Sequence, residues 1–195
     1  ANLKAVQVEI WLERKKDMVE IVAQNSMWAS LAPAARDGDP AALAELHAEL
    51  GGLVERLGID GRELGIRRQG LVLADDKGVP VVAAGAQVDR PLVTAAVRRL
   101  QDEGHGFIYT DGDGSGLHMA FTAATADSGA ADAPRFFLLI LLHDAGNTVN
   151  SLHEIMARWP APEAAGGAAL ARLGDGGRLE LLPGFGTPWF DEDAV

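Results

Sequence analysis

The stretch Leu71-Val72-Leu73-Ala74-Asp75-Asp76-Lys77-Gly78-Val79-Pro80-Val81-Val82-Ala83 reads as two short strands joined by a tight turn that ends in glycine. Pro80 has no amide hydrogen to give to a ladder, so its strand belongs at a sheet edge. Asp89-Arg90-Pro91 then supplies an N-cap and an early-turn proline. Leu92, Val93, Ala96, Val97 and Leu100 follow at helical spacing until Gly104 stops the run. Three further strands are expected at Phe107-Ile108-Tyr109, Leu117 to Ala124 and Arg135 to His143. They are separated by the turn Asp111-Gly112-Asp113-Gly114-Ser115-Gly116 and by a small-residue loop from Ala126 to Pro134. From Gln69 to His143 the order is therefore hairpin, crossover helix and three strands, which predicts an α+β chain built on a five-stranded antiparallel sheet.

The flanks are read more simply. Leu3 to Leu31 lacks Pro and Gly, and Val6, Ile10, Trp11, Met18, Ile21, Val22 and Trp28 recur near the helical period, so one long helix is expected there. Its cluster Glu13-Arg14-Lys15-Lys16-Asp17 is read as a solvated face and only secondarily as a dimer contact. Asp39-Pro40 opens a second helix with the stripe Leu43, Leu46, Leu50, Leu53, Val54 and Leu57, ending near Gly58. Beyond His143, Asp144 and Asn147 offer caps for a helix that Pro160 closes. A linker and one more hairpin, Ala168 to Leu173 with Arg178 to Leu182, follow it. This hairpin either begins a second module or folds back onto the first sheet. The expected organisation is thus two helices in 1–68, a sheet core in 69–144, and a connecting helix with a hairpin in 145–195.

Composition narrows the function classes. With 195 residues, 48% of them apolar, the chain can bury a substantial core. A formal net charge of −11 repels a phosphate backbone or an anionic membrane surface, so nucleic acid is not an expected partner. There is no cysteine, hence no disulfide framework and no thiolate metal site. The longest apolar run, Phe136 to Leu142, is far shorter than the roughly 20 residues of a membrane-spanning helix. Ala1, which follows neither Met nor a signal segment, is expected to lie inside a longer protein.

Each pattern with a chemical look has a plainer reading. Asp111, Asp113, Ser115 and Gly116 match the first half of a calcium loop, but Thr122 stands where the bidentate Glu belongs, and a strand follows where a helix should. A glycine-rich hairpin turn is the default. His153-Glu154 resembles half of a zinc-protease motif, yet Ala157 occupies the position of the second histidine. Gly184-Phe185-Gly186 has Trp189 in place of a third glycine, and Gly114-Ser115-Gly116 lacks the leading glycine of a nucleophile elbow. No metal, cofactor or catalytic residue is expected. More weight falls on polar residues in and around the sheet. His118, Ala120 and Thr122 form a small, mixed strand face suited to a pocket or to solvent. Tyr109, the one tyrosine, can present a hydroxyl, and Arg90, at the mouth of the crossover helix, can pair with a carboxylate. Asp144 is read first as a helix cap and second as an anion facing a ligand ammonium.

The long first helix, the second helix, the hairpin from Leu71 to Gly85, the crossover helix and the three antiparallel strands together resemble the extracytoplasmic Cache sensor domains of bacterial receptors. Leu141-Leu142-His143-Asp144, the helix to Trp159-Pro160 and Ala169 to Leu179 resemble the passage into the second module of a double Cache receptor. A complete second module would need several further strands. The resemblance implies a PAS-like fold and a periplasmic position, with flanking membrane helices outside this fragment and a kinase, cyclase or chemotaxis output. It also implies a small-molecule ligand held near Arg90, Tyr109, His118 and Asp144, and a homodimer that signals through its N-terminal helix. The amino-acid-binding signature of the family is not recognisable, so no amino-acid specificity is carried over. The rival readings are a cytosolic PAS-like or GAF-like regulatory dimerisation module, and a hydrolase using Asp111 and Asp113 with a bound metal.

Overall fold

A computed structural model describes residues 2–56, 69–85, 88–104, 106–111, 117–126, 134–144, 171–173 and 179–181. Three helices, α1 (Asn2–Ala23), α2 (Ser26–Arg36) and α3 (Pro40–Arg56), precede the hairpin β1 (Gln69–Asp75) and β2 (Pro80–Gly85). Helix α4 (Arg90–Glu103) crosses over to β3 (Phe107–Asp111), β4 (Leu117–Ala124) and β5 (Phe136–Asp144). The sheet order is β2-β1-β5-β4-β3, antiparallel throughout. The α+β class and the five strands are as the sequence predicts, and Pro80 does lie on an edge strand. The last hairpin, β6 (Ala171–Leu173) and β7 (Leu179–Leu181), pairs only with itself, so it does not extend the main sheet. The helix expected before Pro160 lies outside the described residues. Among those described, no helix is long and apolar enough to cross a membrane.

The apolar runs of β1 and β5 follow from a sheet covered on both faces. Leu71, Leu73, Met119, Phe121, Leu138 and Ile140 point to one side, where α1 packs on β4 and β5 and α3 packs on β1 and β2. Val72, Ala74, Ile108, Ala120, Leu139 and Leu141 point to the other, against Leu92, Val93, Ala96 and Val97 of α4. A strand between two helical layers has no solvent side, so its sequence does not alternate. On the α1 side Trp11 meets Phe121 edge-on at 6.0 Å, and Phe121 lies 4.8 Å from Phe107. The Lys15 ammonium sits 5.8 Å from the centre of the Trp11 ring. Burial there lowers the Lys15 pKa from its usual value, because the charged form loses water.

The single helix expected from Leu3 to Leu31 is two helices, and the second runs on through Pro33 to Arg36. The break has a local cause. Asn25 adopts an extended conformation (φ −65°, ψ 119°), and its side chain accepts a hydrogen bond from the Met27 amide at 3.0 Å, capping α2. The Trp28 indole N–H donates to the Val22 carbonyl at 2.7 Å, an oxygen that also accepts from the Asn25 amide at 3.3 Å, and so ties α2 to the last turn of α1. The Ala126 amide, just past β4, donates to Ala23 at 3.1 Å and fastens the end of α1 to the sheet. The turn lets α2 fold back on α3 and buries Trp28 completely.

The β1–β2 turn positions α4. Asp75 Oδ1 accepts from the amides of Lys77 (3.0 Å) and Val79 (2.8 Å), which rounds the turn. Gly78 has φ +74°, and a Cβ there would lie 2.6 Å from the Thr94 Cα. Thr94 Oγ1 donates to the Gly78 carbonyl at 3.3 Å, and Gln101 Nε2 donates to the Asp76 carbonyl at 2.9 Å. The Asp-x-x-Gly pattern is therefore a docking surface for the helix as well as a turn. Gly78→Ala carries both a left-handed strain and a clash with backbone, and should cost about 2 kcal/mol or more. Urea unfolding would read this as a lower midpoint at unchanged slope; an unaltered midpoint would mean that α4 is not seated on the turn.

Candidate functional site

Helix α4 meets the β1–β2 turn through Thr94, near its start, and Gln101, near its end. Its N-cap lies beside His118, near the start of β4. Asp89 is its N-cap: Oδ1 accepts from the Leu92 amide at 3.1 Å. The other carboxylate oxygen, Oδ2, faces His118 Nδ1 at 3.8 Å, a contact that is an ion pair only when the imidazole is protonated. Both side chains are partly exposed, at 28% for His118 and 37% for Asp89, while His118 Nε2 is buried. Arg90 follows the cap and is exposed to solvent. The structure thus brings Arg90 and His118 to one end of the α4 layer.

Tyr109 and Asp144 fall elsewhere. In the β3–β4 register Tyr109 stands opposite Met119, and in the β4–β5 register Asp144 stands opposite Leu117. Both rows alternate with that of His118, so these two positions belong to the α1 side of the sheet. Asp144 closes β5, and the residues expected to form the helix it would cap lie outside the described ones. The row that holds His118 also holds Thr110 and His143. Sequence reading missed Asp89 as the acidic neighbour of His118, treating it as a cap alone, and passed over His143 as the end of a strand. A cap with a second oxygen to spare was the available signal for the first. The second depends on register, which no local pattern gives.

On the strand face of His118, Ala120 and Thr122, α4 covers Ala120, Thr122 is buried as well, and His118 at the end stays partly exposed. The middle of the face is apolar. Thr122, 5% exposed, has a buried Oγ1 without a hydrogen-bond partner among the described residues. Its amide donates to the Gly106 carbonyl at 2.7 Å, and a Cβ on Gly106 would lie 1.9 Å from the Thr122 carbonyl oxygen, so only glycine permits this approach. Among the described side chains, no three His, Asp or Glu converge as metal ligands. The calcium-like turn 112–116 and His153 lie outside the described residues.

Comparisons with protein-family models, with curated proteins and with solved structures return no match. The geometry therefore carries the functional argument. A buried hydroxyl that gives up water and gains nothing is a cost of about 1 kcal/mol or more. Thr122→Val should accordingly raise stability by about 1 kcal/mol in chemical denaturation. A drop in stability would instead mean that a bound water or solute holds the hydroxyl in solution.

Proposed function

We propose that this chain is a ligand-sensing domain of a bacterial signalling receptor, with a PAS-like core, exposed on the periplasmic side of the inner membrane and anchored through segments outside this fragment. It performs no chemistry. A small solute binds at the open end of the α4 layer and is read by Arg90 and His118. The observation that carries this reading is the Asp89–His118 pair, partly open to solvent at the end of a layer that is otherwise apolar. A scaffold needs Asp89 as a helix cap; it has no need of an imidazole facing the spare oxygen. The element order of hairpin, crossover helix and three strands supports the same reading. The alternative, a cytosolic PAS-like or GAF-like regulatory module, shares the fold and differs in whether membrane segments flank it.

Signalling in this proposal is a population shift. A solute with unequal affinity for two arrangements of α4 moves the equilibrium by no more than that difference. At a hundred times its Kd, a solute that binds only the folded state adds about 2.7 kcal/mol, or roughly 5–10 °C in Tm for a chain of this size. A thermal-shift screen against carboxylates, amines, amino acids and purines should find one class that produces such a shift, lost in Arg90→Ala and His118→Ala. If no class shifts Tm, the sensory reading fails. A hydrophobic segment just before Ala1 in the full gene separates the periplasmic form from the cytosolic one.

The proposal also assigns dimerisation to α1. Val6 and Ile10 are 45% and 46% exposed, and Ile21 is 74% exposed. Their spacing puts them on one side of the helix, turned away from Val19 and Ala23 in the core. A second such helix would cover them. Sedimentation equilibrium should give a dimer for the native chain and a monomer for Ile10→Glu. A native chain that is monomeric at all concentrations tested would remove this route.

A further inference from the structure

We propose that Lys15, with the rings of Trp11 and Phe107, forms a binding site on the α1 side of the sheet for a small carboxylate whose body is flat and apolar. The site is separate from the Arg90 and His118 end of the α4 layer, and it stands or falls independently of the sensory reading.

In the charged run Glu13-Arg14-Lys15-Lys16-Asp17 every residue is exposed except Lys15, which is partly buried. Helical spacing is the cause. Trp11 and Leu12 precede Lys15 by four and three residues, Met18 and Val19 follow it by three and four, and all of them pack in the core on the α1 side. Lys15 therefore sits in the middle of the stripe that α1 turns toward β4 and β5.

A lysine in such a place ordinarily has an anionic partner. Glu13 and Asp17 are each two residues away, a spacing at which helical side chains do not face each other, and Glu13 is paired with Lys16 at 3.8 Å. Among the described residues the Lys15 ammonium faces only the Trp11 ring, 5.8 Å from its centre. A ring face attracts a cation without neutralising it. The loss of water is thus uncompensated, in keeping with the downward direction of the Lys15 pKa. A carboxylate would relieve it, since it brings both the opposite charge and hydrogen-bond acceptors.

The rings set the rest of the ligand. Trp11 and Phe107 both pack near Phe121, at 6.0 Å and 4.8 Å between ring centres, and Phe121 is buried while the other two are partly exposed. Phe107 opens β3, an edge strand, so this aromatic group lies toward an edge of the layer. A flat apolar body laid against Trp11 and Phe107 buries aromatic surface while its carboxylate meets Lys15. The net charge of −11 repels polyanions, which favours a ligand with a single carboxylate.

The test uses the whole chain with sodium benzoate as the probe, read by thermal shift and calorimetry. Expected are a Kd of roughly 1 mM or tighter and, at ten times that Kd, a rise in Tm of about 3–6 °C. Acetate, which lacks the ring, and benzylamine, which reverses the charge, should each bind at least about tenfold more weakly. Lys15→Met should abolish the benzoate shift, and Lys15→Arg, which keeps the charge, should retain it. Lys15→Met should also raise the Tm of the unliganded chain, because an uncompensated cation gives way to an apolar side chain of similar length. Benzoate should protect Lys15, relative to the exposed Lys16, from acetylation by acetic anhydride, as read by peptide mass mapping. Absence of benzoate binding at about 10 mM overturns the proposal. So does a Lys15→Met chain less stable than the native one, which would mean that the cation already has its counter-charge. A benzoate shift that survives in folded Lys15→Met also overturns it, and is the result that carboxylate binding at Arg90 alone would give.

Discussion

The structure depends on one strand being buried from both sides. Residues Phe136 to Leu142 of β5 are at most 5% exposed, and they pair with β1 on one edge and β4 on the other. Such a strand cannot fold early or alone. It arrives last in the sequence of the sheet, and its burial requires α1 and α2 on one face and α4 on the other. The order of the remaining elements follows: a crossover helix must lie between the first hairpin and the last three strands, or the second face would stay open to water. Pairing over such separations makes loop closure a large part of the folding barrier.

The second constraint is how α4 is held. Apolar contact alone would let a helix slide over a smooth surface of Val72, Ala74, Ala120 and Leu139. The approach of Thr94 to Gly78 and the hydrogen bond from Gln101 to Asp76 fix the helix on the β1–β2 turn at two points, two helical turns apart. With the helix so seated, the cap residue Asp89 is carried to the start of β4, where His118 stands. The polar end of the layer thus depends on the seating of α4 on the turn.

Much of this was legible from local patterns. The spacing of Leu92, Val93, Ala96 and Val97, bracketed by Asp89-Arg90-Pro91 and Gly104, marked α4, and Pro80 marked the edge strand, because each rests on interactions within a few residues. The break at Asn25 was harder. Asn25-Ser26 is a capping signal, but the surrounding apolar residues keep helical phase across it, and the hydrogen bond from Trp28 to Val22 that settles the matter is a tertiary-like contact across the bend. Register was not legible. Shifting a strand by one residue exchanges its faces, so separating Tyr109 and Asp144 from His118 required knowledge of which residues lie opposite Met119 and Leu117.

In the sensory reading, β4 is the element through which the two helical layers communicate. His118, Ala120 and Thr122 belong to the α4 side, while Met119, Phe121 and Ala123 belong to the α1 side. Phe121 meets Trp11, and the residue two past the end of β4, Ala126, is hydrogen-bonded to the end of α1. His118 and Phe121 share the backbone of β4, so a displacement of the strand at His118 is carried along it to Phe121. A change at the solute-facing end would therefore reach α1 at two points along its length, Trp11 and Ala23. Two attachments resist a bend and favour movement of the helix as a rod, which is the motion a membrane-linked helix can transmit.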